Sequence, residues 1–247
     1  MGDFVNDFTG KYITSFDAGT TLDDVRTIGQ RTPYVGGIQE GAGNASASTA
    51  KGVYFCISAA VRLQLKATDL KGVRVAIQGA GNVGARLAVM LSKAQAIVTI
   101  ADVDMRKAEA IAAKTGATIE SPDRIHTLDV DVYAPCALGG VITDDSIPQI
   151  QASIVAGGAN NQLLEARHAD GLQDAGILYC PDYLANAGGI IDLHYQRPIA
   201  SRKELNAHLM SLGNTLEDII LRSKAAGKTT LQISDEIVHE RLHKAKG

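Results

Sequence analysis

The stretch VRVAIQ at residues 73–78, followed by GAGNVG at residues 79–84, decides the fold. A short apolar run of strand length passes into the pattern G-x-G-x-x-G, and a periodic apolar segment over 83–94 predicts a helix directly after it. A glycine triplet is weak evidence in a chain with 25 glycines. The order strand, glycine loop, helix is what a dinucleotide-binding loop requires, and it makes the signal strong.

Each glycine has a separate expected role in that loop. Gly79 permits the tight turn, Gly81 lets the backbone approach a pyrophosphate, and Gly84 lets the helix pack closely against the strand. Asn82 and Val83 complete the loop at the amino end of the helix, where the helix dipole favours bound phosphates.

Outward from this unit, strand and helix patterns alternate. The predicted strands are residues 73–78, 97–101, 130–134, 153–156 and 177–180. A helix over 105–115 is predicted with Asp104 as its N-cap and Gly116 as its C-terminal stop. Strands separated by helices predict an α/β fold, a doubly wound Rossmann parallel sheet with helices on both faces.

Asp102 follows the second strand, where an acidic side chain is expected to accept hydrogen bonds from the adenosine ribose hydroxyls. A carboxylate there repels a 2′-phosphate, so NAD is the predicted cofactor in preference to NADP. Arg106 and Lys107 lie nearby and soften that preference.

We predict three regions along the chain. Residues 1–44 are a lead-in, the remnant of a substrate domain; residues 45–190 are the NAD-binding Rossmann domain; and residues 191–247 are a C-terminal helical segment. Ser46 or Ser48 is the expected cap of a helix running to about residue 67, and Ser234 is the expected cap of the last helix.

Composition excludes several classes of function. The formal net charge of −3 gives no electrostatic footprint for nucleic acid or an anionic membrane. No apolar run reaches the ~18 residues that span a bilayer. The three cysteines cannot all pair, and the first residues lack the apolar core of a signal peptide, so a cytoplasmic location is expected.

The segment HERLH at residues 239–243 matches the zinc motif H-E-x-x-H. It lies in a charged amphipathic segment near the end of the chain, and no third ligand is evident. We therefore predict no metal site.

Four further segments resemble those of a known protein family. They are YITSFDAGT (12–20), APCALGG (134–140), GANNQL (158–163) and PDYLANAGG (181–189). Their order and spacing around the glycine loop resemble the leucine/phenylalanine/valine dehydrogenases, and the resemblance covers nearly the whole chain.

The resemblance implies NAD-dependent oxidative deamination of an apolar L-amino acid, most similar to leucine dehydrogenase. Asp17 matches the catalytic carboxylate, although a turn residue is the alternative interpretation, and Asn161 matches an amide near the nicotinamide and substrate. The implied cofactor contacts are Asn160, Asn186, Ala134, Pro135 and Cys136. Ile190 and Leu193 are implied walls of an apolar side-chain pocket, whose size Ser15 leaves open. Cys136 as a nucleophile is disfavoured, because no histidine stands in a matching context.

The resemblance also implies a partner domain with two lysines, one catalytic and one binding the substrate carboxylate. None of the lysines in this sequence stands in the glycine-rich segment expected of them. The sequence is therefore expected to be a fragment or a degenerate gene that binds NAD, and activity of the chain by itself is in doubt. A non-catalytic NAD-binding module is the alternative function. A homo-oligomer is the expected assembly.

Overall fold

The computed structural model describes residues 1–15, 20–37, 45–196 and 202–244. The strands are β1 (Arg74–Gln78), β2 (Ile97–Ala101), β3 (Thr118–Ile119), β4 (Val132–Pro135), β5 (Ile154–Val155) and β6 (Leu178–Tyr179). The helices are α1 (Gly2–Asp7), α2 (Leu22–Gly29), α3 (Ala45–Gln64), α4 (Gly84–Lys93), α5 (Met105–Thr115), α6 (His168–Asp174), α7 (Asp182–Ala185), α8 (Gly188–Tyr195), α9 (Arg202–Ala226) and α10 (Thr230–Lys244). Two short 3₁₀ turns, Ile125–Thr127 and Ile147–Gln149, lie between strands.

The six strands form one sheet in the order β3-β2-β1-β4-β5-β6, and every neighbouring pair is parallel. Val75 of β1 is fully buried and pairs with Val98 on one side and Val132 on the other. The order reverses between β1 and β4, which leaves a crevice at their carboxyl ends where dinucleotides bind in such sheets. The predicted doubly wound fold is confirmed.

A hydrophobic core lies on each face of the sheet. The larger one combines α3, α4 and α9 with inward-facing residues of the strands, among them Ile57, Leu87 and Leu216, all fully buried. The smaller one covers the opposite face around Ile125 and Leu172. Side chains of α9 thus share a core with β1, across the domain boundary expected at 190/191. The three predicted regions remain a prediction.

Local signals predicted some helix ends and missed others. Asp104 caps α5 by accepting from the Arg106 amide, and Gly116 ends that helix with φ +74°, both as expected. Ser46 and Ser48, however, lie inside α3. Ser234 lies inside α10, and the cap of that helix is Thr229, which exchanges hydrogen bonds with Gln232.

The N-terminal residues form a small unit beside the sheet domain. Thr21 caps α2 through a reciprocal pair of hydrogen bonds with Asp24. The segment ending at Ser15 runs parallel to residues 34–36, with Gly36 donating to the Thr14 carbonyl at 2.7 Å. No helix within the described ranges is long and apolar enough to cross a membrane.

Candidate functional site

The glycine loop has the geometry expected of a phosphate cradle. Gly79 has φ +109°, a backbone conformation that residues with a Cβ atom strongly disfavour. A Cβ atom on Gly84 would lie 1.9 Å from the Gly79 carbonyl oxygen, so only glycine lets α4 start this close to the turn. A Cβ on Gly81 would meet nothing within 4 Å. That open space lies at the crevice, where a ligand can approach the backbone.

Three backbone amides beside this space lack a protein acceptor. The amides of Gly81, Asn82 and Val83 donate to no acceptor within the described part of the chain, and α4 begins without a side-chain cap. Unsatisfied amides at a helix amino terminus, next to an open glycine, fit the pyrophosphate of a dinucleotide.

Asp102 lies directly after β2, beside the glycine loop. One carboxylate oxygen accepts from the Ala80 amide at 2.7 Å, and the other accepts from the Asp104 amide at 2.8 Å. The carboxylate is therefore held in place by two backbone donors. Its role toward the ribose hydroxyls stays a prediction, and the structure adds a second role in shaping the loop.

Residues 134–136 complete the end of β4 next to this loop. Ala134 and Pro135 pair with Ile77 and Gln78 of β1, and the Cys136 amide donates to the Gln78 carbonyl at 2.8 Å. Burial raises the pKa of the Cys136 thiol to about 11, although a hydrogen bond from the Gly158 amide opposes the shift. A raised pKa favours the protonated thiol near neutral pH and argues against Cys136 as an activated nucleophile.

The loop segments around residues 139, 160 and 182 are bonded into one unit. A Cβ on Gly139 would lie 2.4 Å from the Asn160 carbonyl oxygen, and the Gly140 amide donates to the Asn161 carbonyl at 2.7 Å. Asp182 accepts from the Gln162 amide at 2.8 Å. The unit brings the three resemblance motifs that follow β4, β5 and β6 to the same edge of the sheet.

Sequence reasoning missed Gln162 and Asp182. The Gln162 side chain is fully buried and donates to the carbonyls of Gly157 and Ala159, which fixes the turn that presents the two asparagines. The only available signal was their presence in the motifs GANNQL and PDYLANAGG. Asp182 bonds to a residue 20 positions away, and the Gln162 side chain bonds within a turn that its residue type alone does not reveal.

The asparagines themselves face the crevice edge. Asn186 donates through Nδ2 to Oδ1 of Asn160 at 2.6 Å, while Asn161 is exposed and has φ +50°. Asparagine tolerates this left-handed conformation better than most residues. The structure thus brings Asn160 and Asn186 together, and their contacts with a cofactor stay a prediction.

Ile190 and Leu193 of α8 border a cavity of about 510 Å³ that the N-terminal segment closes from the other side. Its other walls include Ile13, Ser15, Pro33, Tyr34 and Val35. Ile190 is 68% exposed, and the Ser15 hydroxyl donates to the Gly36 carbonyl at 3.1 Å. The cavity is predominantly apolar, with His194 and Gln196 at its polar side.

Two further predictions from the sequence concern Asp17 and metal binding. Asp17 lies outside the described residues. Among the described residues, no group of three or more His, Cys, Asp or Glu side chains could hold a metal ion.

The fold and this glycine loop define a Rossmann domain of the dinucleotide-binding class, and comparison with known proteins identifies the family. A family model for glutamate/leucine/phenylalanine/valine dehydrogenase matches residues 36–106 and 104–193. The chain therefore belongs to this family of amino-acid dehydrogenases.

Individual relatives agree with that assignment. The chain is 40% identical over 246 residues to an L-tryptophan dehydrogenase of Nostoc punctiforme, covering 99% of this chain and 70% of that protein. It is 36% identical over 249 residues to a leucine dehydrogenase of Bacillus cereus, covering 100% of this chain and 68% of that protein. The crystal structure of L-tryptophan dehydrogenase from Nostoc punctiforme matches with a TM-score of 0.88 at 39% identity, covering 99% of this chain and 71% of the other.

Proposed function

We propose that this chain binds NAD and serves the oxidative deamination of an apolar L-amino acid, branched-chain or aromatic, to its 2-oxo acid and ammonia. The observation that carries the proposal is an open glycine cradle at the sheet edge that also holds the asparagine loop, together with an apolar cavity on the helix that follows this loop. The names of the tryptophan and leucine dehydrogenases that the chain resembles support the apolar class.

The cofactor would lie across the carboxyl ends of β1 and β4. The amides of Gly81, Asn82 and Val83 would hold its pyrophosphate, and Asp102 would face the adenosine ribose. Ala134, Pro135 and Cys136 would border the nicotinamide side, with Asn160 and Asn186 as polar contacts. When bound, NAD supplies the acceptor for the hydride that leaves the substrate Cα.

The remaining chemistry belongs to side chains. Asp17 is proposed to take the proton released as water attacks the imine carbon, and Asn161 to hold the reacting group in place. Ile190 and Leu193 would contact the substrate side chain and exclude water from it. Among the described residues, no lysine or arginine lines this cavity to pair with a side-chain carboxylate, so glutamate should be a poor substrate.

Binding experiments test the proposal. Calorimetric titration should show tighter binding of NADH than of NADPH. The 2-oxo acids of leucine and tryptophan at high concentration should then tighten NADH binding, whereas 2-oxoglutarate should not. Failure to bind NADH would refute the proposed function. NADH binding that no 2-oxo acid alters would favour a non-catalytic NAD-binding module.

A further inference from the structure

Arg86 is a cation at an unusual place. It is the third residue of α4, within the first turn of a helix whose amino end carries positive partial charge. Acidic side chains are favoured there and cations are not, yet no acidic residue stands in the first turn of α4.

The Arg86 side chain turns back toward the glycine loop. Its Nη1 donates to the Asn82 carbonyl oxygen at 2.6 Å, the direction that helical side chains favour. In the described part of the chain no carboxylate pairs with this guanidinium, so its other N–H groups are available. Asp102, the acidic side chain bonded to the loop, already accepts from the amides of Ala80 and Asp104.

From this placement we propose that Arg86 is a cofactor-binding residue that donates to the pyrophosphate and neutralises part of its charge. This inference rests on the proposed binding of NAD. A guanidinium offers several donors in a fixed plane and matches phosphate oxygens well. A bound dianion would also offset the unfavourable interaction between the guanidinium and the helix dipole.

The test compares Arg86→Gln, Arg86→Lys and a control, Arg241→Gln, which removes an equal charge from an exposed site on α10. Calorimetry with NADH and ADP-ribose at low and high salt gives the affinities. Arg86→Gln should weaken both ligands about tenfold, the size of one charge-assisted hydrogen bond, and should reduce the salt dependence. Arg86→Lys should keep most of the affinity and the salt dependence, and Arg241→Gln should bind as the wild type does.

A second measurement on the wild-type chain does not depend on how a variant folds. A dicarbonyl reagent modifies accessible arginines, and peptide mapping reports the extent at each position. ADP-ribose should protect Arg86 but not Arg241. Equal modification of Arg86 with and without ADP-ribose would overturn the proposal, as would equal NADH affinity of wild type and Arg86→Gln. Wild-type chain that binds no NADH would instead refute the proposed function itself.

Discussion

Among single residues, Asp102 combines two tasks, shaping the glycine loop and facing the adenosine ribose in the proposed complex. Its carboxylate accepts from two backbone amides and is the expected partner of the ribose hydroxyls. Asparagine has one acceptor oxygen, so Asp102→Asn removes the negative charge and one of the two loop hydrogen bonds. We expect it to lower the affinity for NADH about tenfold. The affinity for NADPH should change little, because relief of the repulsion toward the 2′-phosphate offsets the lost loop bond, so the preference between the two cofactors narrows. Asp104→Asn is the matched control, because asparagine still caps α5. Fluorescence titration measures the NADH and NADPH affinities of each variant. A preference for NADPH in the wild type would contradict the assignment of Asp102.

Substitutions at Gly81 and Gly84 are expected to affect different properties, NADH affinity at Gly81 and folding stability at Gly84. Gly84→Ala would force a methyl group against the Gly79 carbonyl oxygen, which lies 1.9 Å from the Cβ position. We expect a loss of about 3 kcal/mol or more in the free energy of unfolding, the upper range for overpacking. Gly81→Ala has open space, so its stability should change by less than about 1 kcal/mol, whereas NADH affinity should fall at least about tenfold. Urea unfolding and calorimetry give both quantities; equal stability of the two variants would show that the loop relaxes.

The cysteine thiols are expected to be inert. A pKa of about 11 leaves about one Cys136 thiol in a thousand ionised at pH 8, and burial raises the pKa of Cys56 to about 12. Iodoacetamide at that pH should leave the folded chain unmodified and its NADH affinity unchanged, while the unfolded chain reacts. Mass spectrometry locates any adduct. Rapid modification of folded Cys136 would restore the nucleophile interpretation.

At the scale of elements, a buried polar link joins α3 to α8. The Ser48 hydroxyl donates to the Asp192 carboxylate at 2.6 Å, and Asp192 is 1% exposed. A Cβ on Gly188 would lie 2.0 Å from the Ser48 carbonyl oxygen, so the two helices are in close contact. The link therefore fixes the helix that carries Ile190 and Leu193 beside the cavity.

Removing the donor of this link should be costly. Ser48→Ala leaves a buried carboxylate with one donor fewer, and we expect a loss of about 2 kcal/mol in the free energy of unfolding. Ser58→Ala is the control, because the Ser58 hydroxyl donates to the Tyr54 carbonyl in its own helix and should cost less than about 0.5 kcal/mol. Urea unfolding compares the two, and equal losses would show that the α3–α8 link adds nothing to stability.

The same link shows where sequence reasoning ends. The apolar runs of β1 and β2 and the cap and stop of α5 are local signals, and they predicted the sheet and the glycine cradle. Ser48 resembled a helix cap because its true partner lies 144 residues away. Strand β3 was missed because two residues, Thr118 and Ile119, carry no periodicity. Asp182 was missed for the same reason as Ser48, because it accepts from the Gln162 amide 20 residues away. The Gln162 side chain bonds to carbonyls three and five residues before it, a contact that its residue type alone does not reveal.

At the scale of the whole molecule, the surface of the N-terminal unit bears on how the chain behaves by itself. Phe4 on α1 is 73% exposed, and Phe8 and Tyr12, which follow this helix, are 55% and 52% exposed. Adjacent exposed aromatic side chains favour association. We therefore expect the purified 247-residue polypeptide to self-associate as its concentration rises, which sedimentation velocity would detect.

We expect this polypeptide to bind NAD but to catalyse the deamination of amino acids very slowly. Asp17 is proposed to supply a proton acceptor, and Asn161 and Asn186 polar contacts, but no lysine in the sequence matches those that the family resemblance requires. Loss of one preorganised electrostatic group commonly lowers the rate about a hundredfold or more, and loss of substrate positioning adds to this. NADH production at alkaline pH from leucine, valine, phenylalanine and tryptophan should therefore be at least about a hundredfold slower than for Bacillus cereus leucine dehydrogenase assayed alongside. Turnover comparable with that enzyme would mean that one of the lysines present, such as Lys11 or Lys51, performs the missing role, and substituting each with alanine would identify it.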